Sequence, residues 1–178
     1  VDRARTDEGD RMIRLIALLA LVGSAASAQE EGHEWMLEDL RACYHSADNV
    51  IDKQACVFVV SEACQATEEG GYSTLGMSMC NRDEAAAWDV LLNEEYRATM
   101  AAFEPLDAED AEYSPGLDTR VDTLRAAQRA WITFRDAECL NEYALWGSGS
   151  MRSIVGTACV LNDTAARTIA LWATREAY

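Results

Sequence analysis

Six cysteines, Cys43, Cys56, Cys64, Cys80, Cys139 and Cys159, restrict most strongly what this chain can fold into. An even set behind an export-type leader reads as three disulfides, drawn from fifteen connectivities. Sequential pairing, 43–56, 64–80 and 139–159, is preferred because each pair brackets a turn-like segment. Each closure contributes about 3 kcal/mol through loop entropy. Zinc is the competing use of cysteine, but no C-x2-C or H-x3-H element is present, so neither a metal nor a cofactor is expected.

The oxidising compartment is argued from the N-terminal end. Met12-Ile13-Arg14 supplies a basic start, Leu15 to Val22 is a run of eight apolar residues, and Ala26-Ser27-Ala28 is a small-residue cleavage pattern. That combination is a secretory signal peptide, with an apolar run too short to span a bilayer. Residues 1–11 read as an upstream extension, which makes residues 29–178 the single folded domain. With no cysteine beside Ala28, neither a lipid site nor a membrane anchor is expected, and the location is periplasmic or secreted.

Charge narrows the partners. The sequence holds 15 Lys+Arg against 31 Asp+Glu, a net charge of −16. Nucleic acid and anionic membranes are disfavoured, because both require positive charge to meet phosphate. A basic partner is compatible, as is acidity that serves solubility alone.

The periodicity predicts an all-α, disulfide-stapled bundle of about five helices, three long ones plus a short N-terminal hairpin. The hairpin pairs a helix over 34–44, with Trp35, Met36, Leu40 and Cys43 on one side, with a second over 50–65. A loop is expected over 67–78, with Ser78 capping the next helix and Asp83 and Glu84 in its first turns. That helix runs to about Phe103 and presents Ala85, Trp88, Leu92, Tyr96 and Phe103 on one face. The acidic, proline-bearing stretch 104–116 is expected to be a linker. Asp118 or Thr119 then caps a helix to about 146, whose stripe begins Val121, Leu124, Ala127, Trp131 and continues through Gln128, Arg135 and Glu138. Gly147 ends it by admitting positive φ. The last helix covers 153–177, with Cys159, Ala166, Ile169, Ala170 and Trp172 on its stripe.

One run is more specific than periodicity. Leu124-x3-Gln128-x2-Trp131-x3-Arg135-Asp136-x2-Cys139, followed by Gly147-Ser148-Gly149, Cys159, Thr164, Arg167 and Leu171, resembles the LprI-like family. These are small exported bacterial domains named after a lysozyme inhibitor. A second block, Trp88-Asp89-x2-Leu92-Asn93-x2-Tyr96, is similar to the same family. The shared core runs from about Cys80 to Leu171. The resemblance implies an exported helical domain with lysozyme inhibition as its activity. The acidic charge permits a basic lysozyme as partner, and a monomer that inhibits by occlusion, not an enzyme, is expected.

The candidate residues each carry a plain structural reading beside the functional one. Trp88 and Trp131 are expected in the core. Arg135 and Asp136 are expected to fix helix register, with Glu138, Asp89 or Glu95 as partners for the guanidinium. Asn93, Tyr96 and Gln128 belong to the same motif set. Trp146, Gly147, Ser148, Gly149 and Ser150 form the candidate binding corner, or else a helix terminator. The acidic run Glu104 to Tyr113 is either a solvated face or a steering surface for a basic enzyme. His33 and His45 lack a nucleophile at motif distance, and no G-x-S-x-G, P-loop or H-E-x-x-H occurs, so no catalytic residue is assigned. The alternative to inhibition is an envelope-stress accessory domain.

Overall fold

The computed structural model describes residues 27–178, with side chains from Glu34 onward. The upstream extension and almost all of the expected leader lie outside those residues. The chain divides between Trp35 and Met36. Six helices are described: α1 Ser27–Ser46, α2 Val50–Gln54, α3 Val59–Thr67, α4 Thr74–Tyr113, α5 Arg120–Leu145 and α6 Met151–Glu176. No strand occurs among the described residues. The architecture is an all-α bundle closed by disulfides 43–56, 64–80 and 139–159, the sequential pairing.

The α4–α6 contact is the most extensive in the fold. Ala85, Trp88, Leu91, Leu92 and Phe103 of α4 and Leu161, Ala165, Ile169 and Leu171 of α6 are all buried. Burying a side chain of Leu or Phe size stabilises by about 1.5–3 kcal/mol, so this seam carries the core. Thr99 Oγ1 also donates across the seam to the Leu171 carbonyl at 3.2 Å.

Several boundaries differ from the sequence reading, each for a physical reason. The helix expected over 50–65 is two helices, because Phe58 adopts a left-handed backbone at φ 72°. Such a residue costs about 1–3 kcal/mol. Glu84 offsets it: its fully buried carboxylate accepts from the Phe58 and Ser61 backbone N–H groups at 2.7 Å each, and from Trp88 Nε1 at 2.9 Å. Thus Glu84 serves as a distant N-cap for α3 rather than as a first-turn acid of its own helix. The cap of α4 is Ser73, whose side chain accepts from the Gly76 N–H, and Ser78 lies inside the helix. The loop expected over 67–78 is therefore shorter. Gly71 and Gly76 permit this, since a Cβ on either would run into neighbouring backbone.

The acidic stretch expected to be a linker is helical to Tyr113 and carries α4 through Pro105. Its support is tertiary. Asp107 accepts from the Arg120 and Val121 backbone N–H groups at 3.0 and 2.9 Å, and Arg120 bridges Asp107 and Asp110. Desolvation opposes ionisation of Asp107, but those N–H bonds and the Arg120 guanidinium win and hold its carboxyl below the ordinary range. Thr119 caps α5, as one of the two expected residues. Ala127 on α5 and Ala166 and Ala170 on α6 were expected in core stripes and are exposed. On α5 only Gln128 and Cys139 are buried, so this helix lies along the bundle rather than within it.

The one lysine of the sequence is an unexpected core residue. Lys53 is 3% exposed; its ammonium donates to the Tyr44 and Ala47 carbonyls at 2.8 and 2.9 Å and lies over the Tyr44 and Trp172 rings. It thereby satisfies carbonyls at the C-terminal end of α1, where a cation is favoured. Nearby, Glu95 accepts from Tyr44 Oη at 3.2 Å and from Arg175 at 2.8 Å.

Candidate functional site

The two sequence blocks that stood out meet in space. Asp89, Leu92, Asn93 and Tyr96 recur at helical spacing on α4 and form one wall of a groove. Arg125, Gln128, Arg129, Ile132 and Arg135 recur on one face of α5 and form the other. The groove encloses about 380 Å3.

Behind it, α6 supplies the residues that hold the α5 side chains. Arg167 Nε donates to Gln128 Oε1 at 2.8 Å. Arg135 Nη1 donates to Thr164 Oγ1 at 3.2 Å, and its other nitrogens reach Asp136 Oδ1 at 3.0 and 2.8 Å. The partner of Arg135 is therefore Asp136. Asp89 is occupied by Asn93, whose amide donates to its backbone and side-chain oxygens, and Glu95 by Tyr44 and Arg175. Trp131 is half-buried, not a core residue: the guanidiniums of Arg135 and Arg167 lie 5.1 and 5.9 Å from its ring centre. Such cation–π contacts are each worth about 0.5–2 kcal/mol. Trp88, in contrast, is fully buried, as expected.

Burial pulls Arg167 below the usual guanidinium value, and its Nη2 is buried without a hydrogen-bond partner. Arginine stays protonated under such a pull, so a positive charge persists behind Gln128. Chemically the groove offers hydrogen-bond donors and positive charge beside the apolar surfaces of Leu92 and Ile132. Arg125, Arg129 and Ile132 escaped the sequence reading. Their shared α5 face with Gln128 and Arg135 was the available signal, masked by the expectation that such a face is apolar.

The Trp146–Ser150 corner lies apart from this groove. Gly147 turns the chain with φ 55°, and Gly149 N–H donates to the Trp146 carbonyl at 2.9 Å. Trp146 is 47% exposed, and Leu145 and Met151 beside it are also exposed. The corner is an apolar cluster on a turn, fastened below by the Cys139–Cys159 bridge and by the close approach of Gly156 to Tyr143. Along 104–113, Glu104, Glu109 and Glu112 face solvent while Asp107 and Asp110 hold Arg120.

Among the described residues, Cys139, Cys159 and Asp163 are the one trio close enough to share a metal ion. The two sulfurs are bonded to each other, which removes the thiolates a metal would need. His45 is exposed and meets the Tyr44 ring edge-on, and the His33 side chain lies outside the described residues. No described helix is long and apolar enough to cross a membrane.

Comparison with known proteins locates the same region. An uncharacterized protein of Rhizobium meliloti (strain 1021) is 32% identical over 100 residues, which span 56% of this chain and 71% of that protein. No solved structure matches. The family model described as lysozyme inhibitor LprI matches residues 64–171, taking in both walls of the groove, the corner and two of the three disulfides. The match reaches back beyond the Cys80 limit of the sequence resemblance to Cys64. The chain belongs to the LprI lysozyme inhibitor family.

Proposed function

We propose that the protein is exported to the periplasm or beyond, through the leader Met12–Ala28, and acts there as a monomeric, stoichiometric inhibitor of a basic lysozyme. The observation that carries this reading is the family match over 64–171. Three disulfides and a net charge of −16 support the compartment and the sign of the partner. The contact is assigned to Trp146–Ser150 with Leu145 and Met151, an exposed aromatic and aliphatic cluster on a disulfide-fastened turn. Aromatic anchors of this kind dominate interface energies. The mode is occlusion of the enzyme's cleft.

The test is a titration of the purified protein into a chicken-type lysozyme lysis assay. Expected is inhibition that reaches completion near one equivalent, with Trp146→Ala weakening it about tenfold or more. Full lysis at a micromolar excess of protein sinks the inhibitor reading. An accessory domain without inhibitory activity is the second reading. It is favoured by the inward use of the motif: Gln128 binds Arg167 and Arg135 binds Thr164, so those residues serve architecture.

A further inference from the structure

Arg152 stands out at the α5–α6 corner, because stability gives no reason for its place. From Tyr143 to Asn162 the chain holds no Asp or Glu, and Arg152 is the one charged residue, in a sequence of net charge −16. It sits in the first turn of α6, which carries no acidic residue and whose Ser150 makes no side-chain cap. A cation is disfavoured there by the helix dipole. Among the described residues its side chain forms neither an ion pair nor a hydrogen bond, and its Nε is buried without a partner. Instead its guanidinium carbon lies 4.0 Å from the centre of the Tyr143 ring. That ring is itself seated against Gly156, where a Cβ would lie 3.2 Å from Tyr143 Cδ2. Tyr143 precedes Trp146 by about one helical turn. The Arg152 N–H donates to the Gly149 carbonyl at 3.3 Å, and the Gly149 N–H to the Trp146 carbonyl at 2.9 Å. The stacked arginine therefore belongs to the exposed Trp146–Ser150 surface. Arg97 and Arg129, which also lack ion pairs, differ in being exposed and stacked on no ring.

Resting on the inhibitor reading above, we propose that Arg152 enters the lysozyme cleft and pairs with the enzyme's ionised catalytic carboxylate. Glycoside hydrolases carry two carboxyl groups at the scissile bond, and in lysozyme one of them stays ionised. A basic lysozyme thus presents negative charge inside its cleft and positive charge around it. This chain has the complementary arrangement, acidic overall with an acid-free corner that bears one guanidinium. Stacking on Tyr143 orients the planar fork before binding, and that fork matches a carboxylate bidentately. Leu145, Trp146 and Met151 supply an apolar rim that excludes water from such a pair. The contact does more than cover the cleft: it occupies a group that the reaction needs.

The experiment is a double-mutant cycle read as dissociation constants from isothermal titration of the full protein. The enzymes are chicken-type lysozyme and a variant of it whose ionised catalytic carboxylate is replaced by the amide. Expected for Arg152→Gln is a loss of about thirtyfold or more against the native enzyme, falling to about threefold or less against the amide enzyme. Arg152 makes no hydrogen bond, so Arg152→Gln should keep the wild-type melting temperature. Arg152→Lys, which retains the charge, should lose less than Arg152→Gln against the native enzyme. Arg97→Gln, a change at an exposed arginine of α4, should lose less than about twofold against either enzyme. The proposal is overturned if Arg152→Gln binds the native enzyme as the wild type does, or loses as much against the amide enzyme as against the native one. It is overturned equally if Arg97→Gln matches Arg152→Gln. In each of those outcomes the inhibitor reading stands. If the wild-type protein does not bind the native enzyme, the inhibitor reading falls and this proposal falls with it.

Discussion

At the scale of single residues, the chain invests its buried charges in joining elements. Glu84 is the clearest case, closing the N-terminus of α3 from a position on α4. Burial raises its carboxyl above the ordinary range, despite the lowering pull of the Ser61, Trp88 and Phe58 donors. A carboxyl raised in the folded state contributes stability that is complete below the unfolded value, about 4.3, and is lost as pH rises through the folded value. Glu84→Gln removes this titration while keeping the shape. The stability of the wild type minus that of the variant, from urea unfolding, should therefore fall with rising pH above about 4.3, by at most about 1.4 kcal/mol per pH unit. A difference that is flat or climbs with pH would contradict this account. Gln128 and Arg167 show the same habit across α5 and α6, with Arg167 Nε donating to Gln128 Oε1.

At the scale of elements, α4 is the member whose length has to be explained. Pro105 lacks an N–H and crowds the carbonyl one turn back, a cost of about 3 kcal/mol inside a helix. The ten residues from Glu104 to Tyr113 remain helical because Asp107 and Asp110 grip the start of α5. Pro105→Ala should accordingly raise stability by about 1–3 kcal/mol in urea unfolding without loss of helical signal; a destabilised variant would show that the proline is accommodated for a purpose. This stretch also marks where sequence reasoning stops. Thr119 was readable as a cap because its side-chain bond to Asp122 is local. The disulfide order was readable because each cysteine pairs with its neighbour in sequence across a turn-bearing segment. The helix over 104–113 and the Phe58 break were not, since Asp107 and Glu84 act on residues 13 to 26 positions away. The groove was unreadable for a similar reason: its α5 face carries arginines, and only the alignment of α5 with α4 turns a charged stripe into a cavity wall.

At the scale of the whole molecule, the acidic run and the apolar corner sit on different elements. Glu104, Glu109 and Glu112 lie on the solvent side of α4, and the apolar corner lies at the α5–α6 turn. If a basic enzyme is the partner, the net charge of −16 should speed encounter while the corner sets the lifetime of the complex. Association rates measured by stopped flow should drop about tenfold between 20 and 200 mM salt, with the dissociation rate nearly constant. Salt-independent association would remove the steering role of the acidic face. Lys53, finally, has a consequence outside binding altogether. Because the sequence has one lysine and the fold seals it against Tyr44 and Trp172, the folded protein presents no side-chain amine to its surroundings. Acylating reagents, aldehyde fixatives and lysine-specific proteases have no side-chain target on it until it unfolds. Its ε-amine is thus a built-in reporter of global opening.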